Sequence, residues 1–251
     1  MVQRSYKLKP DKQDLRDKVF YASTLKLTSQ LPATVDLRKY LSPVVDQGDL
    51  GSCTANAIAS GLGEYLQKVS KKQFTPLSRL ELYWWERFLE GTVNQDSGAE
   101  IRDGMKIFNQ LGISPEKDYP YDIAAFTNQP SPQAIIDAAV FKISSYHRVQ
   151  NLNYLKTSLA EGLPVVTGIL VYESFESKTV ARNGVVPMPD PKKEQLLGGH
   201  AVLAVGYIDK KQQVIMRNSW GTKWGDKGYF YLPYDYFTDP NGYVTDMWTG
   251  Q

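Results

Sequence analysis

The chain of 251 residues contains one cysteine, Cys53, and two histidines, His147 and His200, so any chemistry that pairs a thiol with an imidazole has almost no freedom of assignment. Taken alone, a single cysteine is most often a buried small hydrophobe. Cys53 is set apart by three features: it follows a loop with two glycines (Gln47-Gly-Asp-Leu-Gly-Ser52), it opens a helical pattern, and small residues flank it. A thiol at a helix N-terminus feels roughly half a positive charge from the macrodipole, which favours the thiolate. A thiolate is a competent nucleophile for acyl transfer when a base stands beside it. His200 opens an apolar strand pattern and is the natural partner, whereas His147 sits in polar Ser144-Ser-Tyr-His-Arg148 and reads as a surface residue.

Spacing adds two further groups. Residues 200 and 218 are each nine positions from Asp209, so a hairpin centred there sets His200 opposite Asn218, on one face at about 5 Å. The Asn218 amide oxygen would then accept from one ring nitrogen and aim the other at sulfur. A one-residue slip would put the two side chains on opposite faces. Gln47 lies six residues before Cys53. Its amide and the Cys53 backbone N–H together make a pair of oxyanion donors; without that context, a loop glutamine is a solvated side chain.

The elements that must hold these groups change character along the chain. Ala55, Ile58, Ala59, Leu62, Leu66 and Val69 recur at spacings of three and four, which predicts a helix with Cys53 in its first turn and Ser52 as N-cap. Ser78 and Glu81 form a capping box that starts a second helix, stopped by Gly91. Ile101, Met105, Phe108 and Leu111 mark a third, ended by Gly112. Shorter helices are expected from Pro132 and across residues 152–159. From about Pro164 the runs 164–171, 200–207, 213–217 and 229–232 read as strands, and residues 172–198, with three prolines, as a long surface loop. Helices first and strands second indicate an α+β protein with two lobes, a helical one over about 45–140 and a β-rich one over about 141–235.

Composition narrows the function classes. A net charge of +2 and 42% hydrophobic residues argue against a nucleic-acid partner, and no apolar run reaches the roughly 18 residues of a membrane span. One cysteine permits no intramolecular disulfide, and Cys and His are too few for the usual structural metal sites, so no metal or cofactor is expected. The N-terminus lacks a signal-peptide apolar core, which points to the cytoplasm or another reducing compartment. Residues 1–30 carry seven Lys/Arg against three Asp and read as an arm preceding a body of residues 31–251.

Three ordered blocks carry a family resemblance: Gln47-Gly-Asp-Leu-Gly-Ser-Cys53, Gly199-His-Ala-Val-Leu-Ala-Val-Gly-Tyr207 and Arg217-Asn-Ser-Trp-Gly-Thr-Lys-Trp-Gly225. They resemble the signature blocks of papain-like cysteine peptidases, and the 147-residue Cys-to-His distance falls in the range of that class. Leu31–Arg38 and Tyr119-Pro-Tyr121 extend the likeness over about residues 31–233. The resemblance implies a papain-like two-lobed fold, a helical lobe plus a β-barrel-like lobe, with the cleft between them. It implies Cys53 as nucleophile, His200 as general base and acid, Asn218 as orienter and Gln47 as oxyanion donor. Trp220 would shield the His–Asn hydrogen bond and Trp224 would line the primed side. Ser97 and Gly98 would pair with an extended substrate, and Gly168 and Ala201 would line a pocket for a bulky apolar side chain two residues before the scissile bond.

Departures from the pattern are informative. Leu50 stands where the family usually has a second cysteine, Thr54 where an aromatic follows the nucleophile, and Gly199 where Asn or Asp is common. The arm is far shorter than the usual inhibitory propeptide. It still offers apolar anchors at Tyr6, Leu8, Leu15, Val19, Phe20 and Tyr21, and thirty extended residues reach up to roughly 100 Å. It therefore either covers the cleft, making the chain a zymogen that restrains itself, or braces the two lobes. Peptide or protein is the expected substrate. Acyl transfer to an amine or alcohol, as in transglutaminases, and an inactive peptide-binding homologue are the competing readings.

Overall fold

Apolar residues spaced three and four apart fill the first half of the body and near-continuous apolar runs the second, and the architecture follows that division. The computed structural model describes residues 4–21, 31–71 and 73–251. In chain order the strands are β1 (Thr34–Asp36), β2 (Tyr146–Arg148), β3 (Val165–Tyr172), β4 (Leu196–Ile208), β5 (Gln213–Arg217), β6 (Tyr229–Pro233) and β7 (Val244–Gly250). The helices are α1 (Cys53–Ala55), α2 (Glu64–Lys71), α3 (Arg79–Leu89), α4 (Ile101–Gln110), α5 (Pro132–Ala138), α6 (Leu152–Ala160), α7 (Lys178–Asn183) and α8 (Asp235–Thr238), with a π-helical stretch, Asn56–Gly63, joining α1 to α2. Among the described residues no helix is long and apolar enough to cross a membrane.

The helical run from Cys53 is buried on every side as far as Tyr65, which is why small residues crowd it. At Gly61 an added Cβ would sit 3.1 Å from Leu203 Cδ2 on β4, and at Gly63 2.7 Å from Leu77 Cδ1. Gly61 lets the helix approach β4 closely, and Gly63 lets it pack on Leu77. Val69, expected on the buried face, is half exposed because the run leaves the core after Leu66. The Ser78 cap is present, with Ser78 Oγ accepting from Glu81 N at 3.0 Å, but the capping box is only half made. The Glu81 carboxylate instead accepts from Ser114 N at 2.7 Å, since Ser78 N is already spent on Ser114 O.

All strands pair antiparallel in one sheet of order β2-β7-β3-β4-β5-β6, with β1 on the side of β4. The sheet is open, in place of the barrel-like closure expected: among the described residues β2 and β6 do not pair. Both edges are covered otherwise. The arm seals β2 (Phe20 N to Arg148 O 2.8 Å, Arg148 N to Lys18 O 2.7 Å), and Val185 bridges to Tyr231 on β6. A covered edge needs no partner strand.

Two expectations are corrected. The β-rich lobe does not stop near residue 235, because β7 pairs between β2 and β3. Its pattern is broken by Asp246, which is buried and paired with Arg148 at 2.9 Å, so an apolar count passes over it. Residues 172–198 are not simply a surface loop: they hold α7 and the start of β4, and Phe175, Val180 and Val186 are buried.

Candidate active site

Cys53 lies at the first helical position and is fully buried. Ser52 does not cap the helix; its hydroxyl pairs with the Tyr121 hydroxyl at 2.6 Å and accepts from Asn56 Nδ2 at 3.0 Å. Behind the nucleophile, Thr54 Oγ1 donates to Glu86 Oε2 at 2.6 Å. Burial pushes the Glu86 carboxyl well above the usual range.

His200 Nε2 and Asn218 Oδ1 are 2.8 Å apart in the core. They meet through a register other than the expected one. Near the turn β4 pairs with β5 as Ile208↔Gln213 through Gly206↔Ile215, and past an irregularity at Val205 as Ala204↔Met216 and Leu203↔Arg217. Extending the first register would set Asn218 opposite Leu203, three residues from His200 and on the other face. The bulge shifts the pairing by one, placing residue 218 opposite Val202, a same-face diagonal neighbour of His200. The Val205 carbonyl accepts from Leu37 N at 2.9 Å just beyond β1, which holds the bulge in place. The turn itself is a short 3₁₀ helix, Asp209–Lys211, closed by Gln212 at φ 51°, longer than a hairpin centred on Asp209.

Gln47 is buried, with Oε1 accepting from Ser219 Oγ at 2.5 Å and Nε2 donating to Leu50 O at 3.0 Å. One amide N–H is thereby committed, and the carboxamide is fixed between the Cys53 loop and the Asn218 segment. Trp220 lies over His200 with ring centroids 5.1 Å apart and planes inclined by 27°. Trp224 contacts Trp220 edge-on at 4.9 Å and stacks on Phe175 at 5.6 Å, so it buttresses Trp220 from behind. Gly168 and Ala201 face each other across β3 and β4. The Ser97 hydroxyl is spent on Thr92 Oγ1 (2.7 Å) and Gly98 O (3.0 Å). Gly98 N donates to the Tyr83 hydroxyl at 3.0 Å, and the Lys7 carbonyl of the arm lies against Gly98. His147, on β2, is half-buried and remote from this group.

The arm runs through the cleft. Arg4 pairs with Asp46 at 2.6 Å and lies over the Trp220 ring at 5.2 Å. The Tyr6 ring meets His200 edge-on at 6.1 Å and Trp220 at 6.0 Å. Leu8 N donates to Gly199 O at 3.0 Å, and Lys9 N to Ala99 O at 3.1 Å, so the arm bonds both walls through its backbone. Leu8 is buried against the Gly168 position, where an added Cβ would come within 2.8 Å of Leu8 Cδ2 and 3.4 Å of Ile101 Cδ1. Of the other expected anchors Phe20 is buried, while Leu15 (95%) and Tyr21 (73%) are exposed.

Enclosure overturns the thiolate expected from the helix terminus. Burial pushes the Cys53 thiol up to about 12, against the smaller lowering effect of the Ala201, Thr54 and Cys53 backbone N–H groups. Burial likewise lowers His200 to about 4, the Asn218 hydrogen bond opposing it and the Arg4 charge adding to it. Both shifts favour the uncharged forms, thiol and neutral imidazole, while the pair is enclosed. The sequence reading missed Arg4, Ser219, Asp96, Glu86 and Phe175 as parts of the site. Only Ser219, beside Asn218 in the third block, carried a local signal.

The chain is similar to known cysteine proteases. The sequence pattern described as "Papain family cysteine protease" matches residues 31–239. An uncharacterized peptidase C1-like protein of Acanthamoeba polyphaga mimivirus is 39% identical, over 96% of this chain and 84% of its own. Cysteine proteinase 1 of Entamoeba histolytica is 33% identical over 81% of this chain, which spans 64% of that enzyme's length. Among solved structures, xylellain, a cysteine protease from Xylella fastidiosa, superposes with a TM-score of 0.86 at 39% identity, covering 98% of this chain and 95% of that one. Digestive procathepsin L 3 of Tenebrio molitor shares the fold at 23% identity and a TM-score of 0.71, over 94% of this chain and 74% of that one. The match over residues 31–239, at the core of which lie the thiol, imidazole and carboxamide, settles the relationship: this chain belongs to the papain family of cysteine proteases.

Proposed function

We propose that the chain hydrolyses peptide bonds through an acyl-thioester on Cys53 and that its own arm restrains it. The observation that carries the reading is the buried His200 Nε2–Asn218 Oδ1 pair, which leaves Nδ1 without a hydrogen-bond partner. In the open enzyme Nδ1 takes the thiol proton, and the thiolate attacks the carbonyl carbon. The Cys53 N–H and the uncommitted N–H of Gln47 Nε2 receive the developing oxyanion. Collapse expels the amine, which takes the proton from His200, and leaves the thioester. His200 then accepts a proton from water as it attacks, releasing the acid and restoring the thiol.

The arm supports restraint by its direction as well as its place. A substrate with an apolar side chain in the Gly168–Ala201 pocket would proceed toward Cys53 in the C-terminal direction. From Leu8 the arm proceeds toward His200 through Lys7 and Tyr6, in the N-terminal direction. Running opposite to a substrate, it fills the cleft without offering a bond for attack.

Intact-mass analysis with an epoxysuccinyl thiol probe and turnover of dipeptidyl fluorogenic substrates test the reading. One adduct on Cys53 is expected. His200→Ala should lower kcat/KM by about 10²–10⁴-fold, and His147→Ala should leave it unchanged. Equal losses from the two histidines would overturn the assignment.

A further inference from the structure

We infer that Asn56, braced by Arg79, is a positioning residue of the oxyanion site: it orients the peptide whose N–H is the Cys53 donor. This rests on the peptidase reading above. Asn56 is buried at the start of the π-helical stretch, three residues after the nucleophile. Its Nδ2 donates to Ser52 O at 2.9 Å and to Ser52 Oγ at 3.0 Å, and its backbone N–H donates to Ser52 O at 3.0 Å. Ser52 O and the Cys53 N–H belong to one planar trans peptide and point in opposite directions, so fixing the carbonyl fixes the donor. As the first helical residue, Cys53 has no partner within the helix for that N–H. Two hydrogen bonds on the Ser52 carbonyl also polarise the peptide and strengthen its N–H as a donor.

Arg79 decides which way the Asn56 carboxamide faces. A guanidinium has no acceptor, so Arg79 Nη1, at 3.2 Å, must meet Asn56 Oδ1, and Nδ2 is turned to Ser52. The guanidinium lies over the Tyr121 ring at 3.9 Å from its centroid, and Nη2 pairs with Glu116 Oε1 at 2.9 Å. Tyr121 has one hydroxyl proton, which it donates to Gln47 O at 2.9 Å, so Ser52 Oγ donates to Tyr121 Oη at 2.6 Å. Every proton of this chain of hydrogen bonds is thereby assigned from the guanidinium outward. The chain ends on the backbone beside both oxyanion donors, at Gln47 and at the Ser52–Cys53 peptide. Packing alone does not call for a carboxamide here, since a buried polar side chain costs free energy unless it is hydrogen-bonded and an apolar one of similar volume carries no such cost. What the carboxamide adds is direction.

The test compares two reactions of Cys53 in full-length Asn56→Leu and its parent, each in the native chain and with Leu8→Asp, which removes the apolar anchor of the arm. Peptide turnover develops an oxyanion, whereas alkylation by iodoacetamide is a displacement that develops none. Asn56→Leu should lower kcat by about 10–100-fold, somewhat less than deletion of a whole oxyanion donor. KM and the alkylation rate should stay unchanged, because the lost interaction is made only in the transition state. Arg79→Met should lower kcat by about tenfold in the same way, and Arg79→Lys, which still presents only donors to Asn56 Oδ1, should recover most of that loss. The Arg79 pair carries the test if Asn56→Leu does not fold. A kcat unchanged in Asn56→Leu and Arg79→Met, or turnover and alkylation falling together, overturns the assignment alone. Absence of peptide turnover by the parent, both native and with Leu8→Asp, overturns the peptidase reading and the assignment with it.

Discussion

Between Arg4 and Lys9 the arm rests in the cleft on two backbone hydrogen bonds, one buried leucine and ion pairs that stay in contact with water. The lysines of Lys7–Asp96 and Lys9–Glu90 are 40% and 37% exposed. Between Asp11 and Phe20 it is held otherwise. Asp11, its side chain fully enclosed, accepts from Trp248 Nε1 (2.6 Å), Arg148 (2.9 Å) and Arg102 N (3.1 Å). Arg148 also bonds Asp246 (2.9 Å) and Asp17 (3.0 Å), and Arg102 bonds Asp17 (2.9 Å). Exposed pairs contribute about 0–1 kcal/mol each, whereas removing one partner from a buried network costs about 3–5 kcal/mol. On the restraint proposed above, the first segment acts as a plug that leaves the cleft and the second as the tether that keeps it near.

The comparison breaks most visibly at Arg148. Arg148→Ala takes one cation from three carboxylates and should cost about 3–5 kcal/mol in urea unfolding, with loss of amide protection over residues 11–20. A change below about 1 kcal/mol would show that the tether is not held by charge.

Leu8→Asp attacks the plug and should leave the tether intact. Alkylation of Cys53 by iodoacetamide at pH 7 should quicken by at least about a hundredfold, with amide protection over 11–20 retained. The pH dependence follows from the sign of each shift. The closed form binds fewer protons at His200, lowered to about 4, so closure weakens as pH falls below the ordinary histidine value of about 6.5. It retains the Cys53 proton up to about 12, so closure also weakens as pH rises above the ordinary thiol value of about 8.5. The ratio of alkylation rates, variant over native, should therefore peak between those two values; a monotonic ratio would disconnect the arm from the titration of the pair.

The smallest effect sharpens the contrast. Lys9→Ala removes a half-exposed rim pair and should change stability by less than about 1 kcal/mol while raising kcat/KM by up to about fivefold. An effect as large as that of Arg148→Ala would erase the distinction between plug and tether.

The thiol and imidazole were readable from composition, because one cysteine and two histidines leave a single choice between His147 and His200, and local patterning placed Cys53 on its helix, His200 on β4 and the Ser78 cap. Periodicity is a local property, set by how a few successive side chains face one core, and it survives in sequence. What tertiary structure decided were relations between distant segments. A bulge at Val205, held by Leu37 from the other end of the chain, sets the parity that lets His200 meet Asn218. Asp246 makes β7 illegible as a strand until Arg148 and the arm are seen to neutralise it. A helix terminus argues for a thiolate at Cys53, yet the outcome depends on water, and the arm lying over His200 and Trp220 shares in excluding it. Burial is a property of everything packed around a group, so no stretch of sequence near Cys53 carries it.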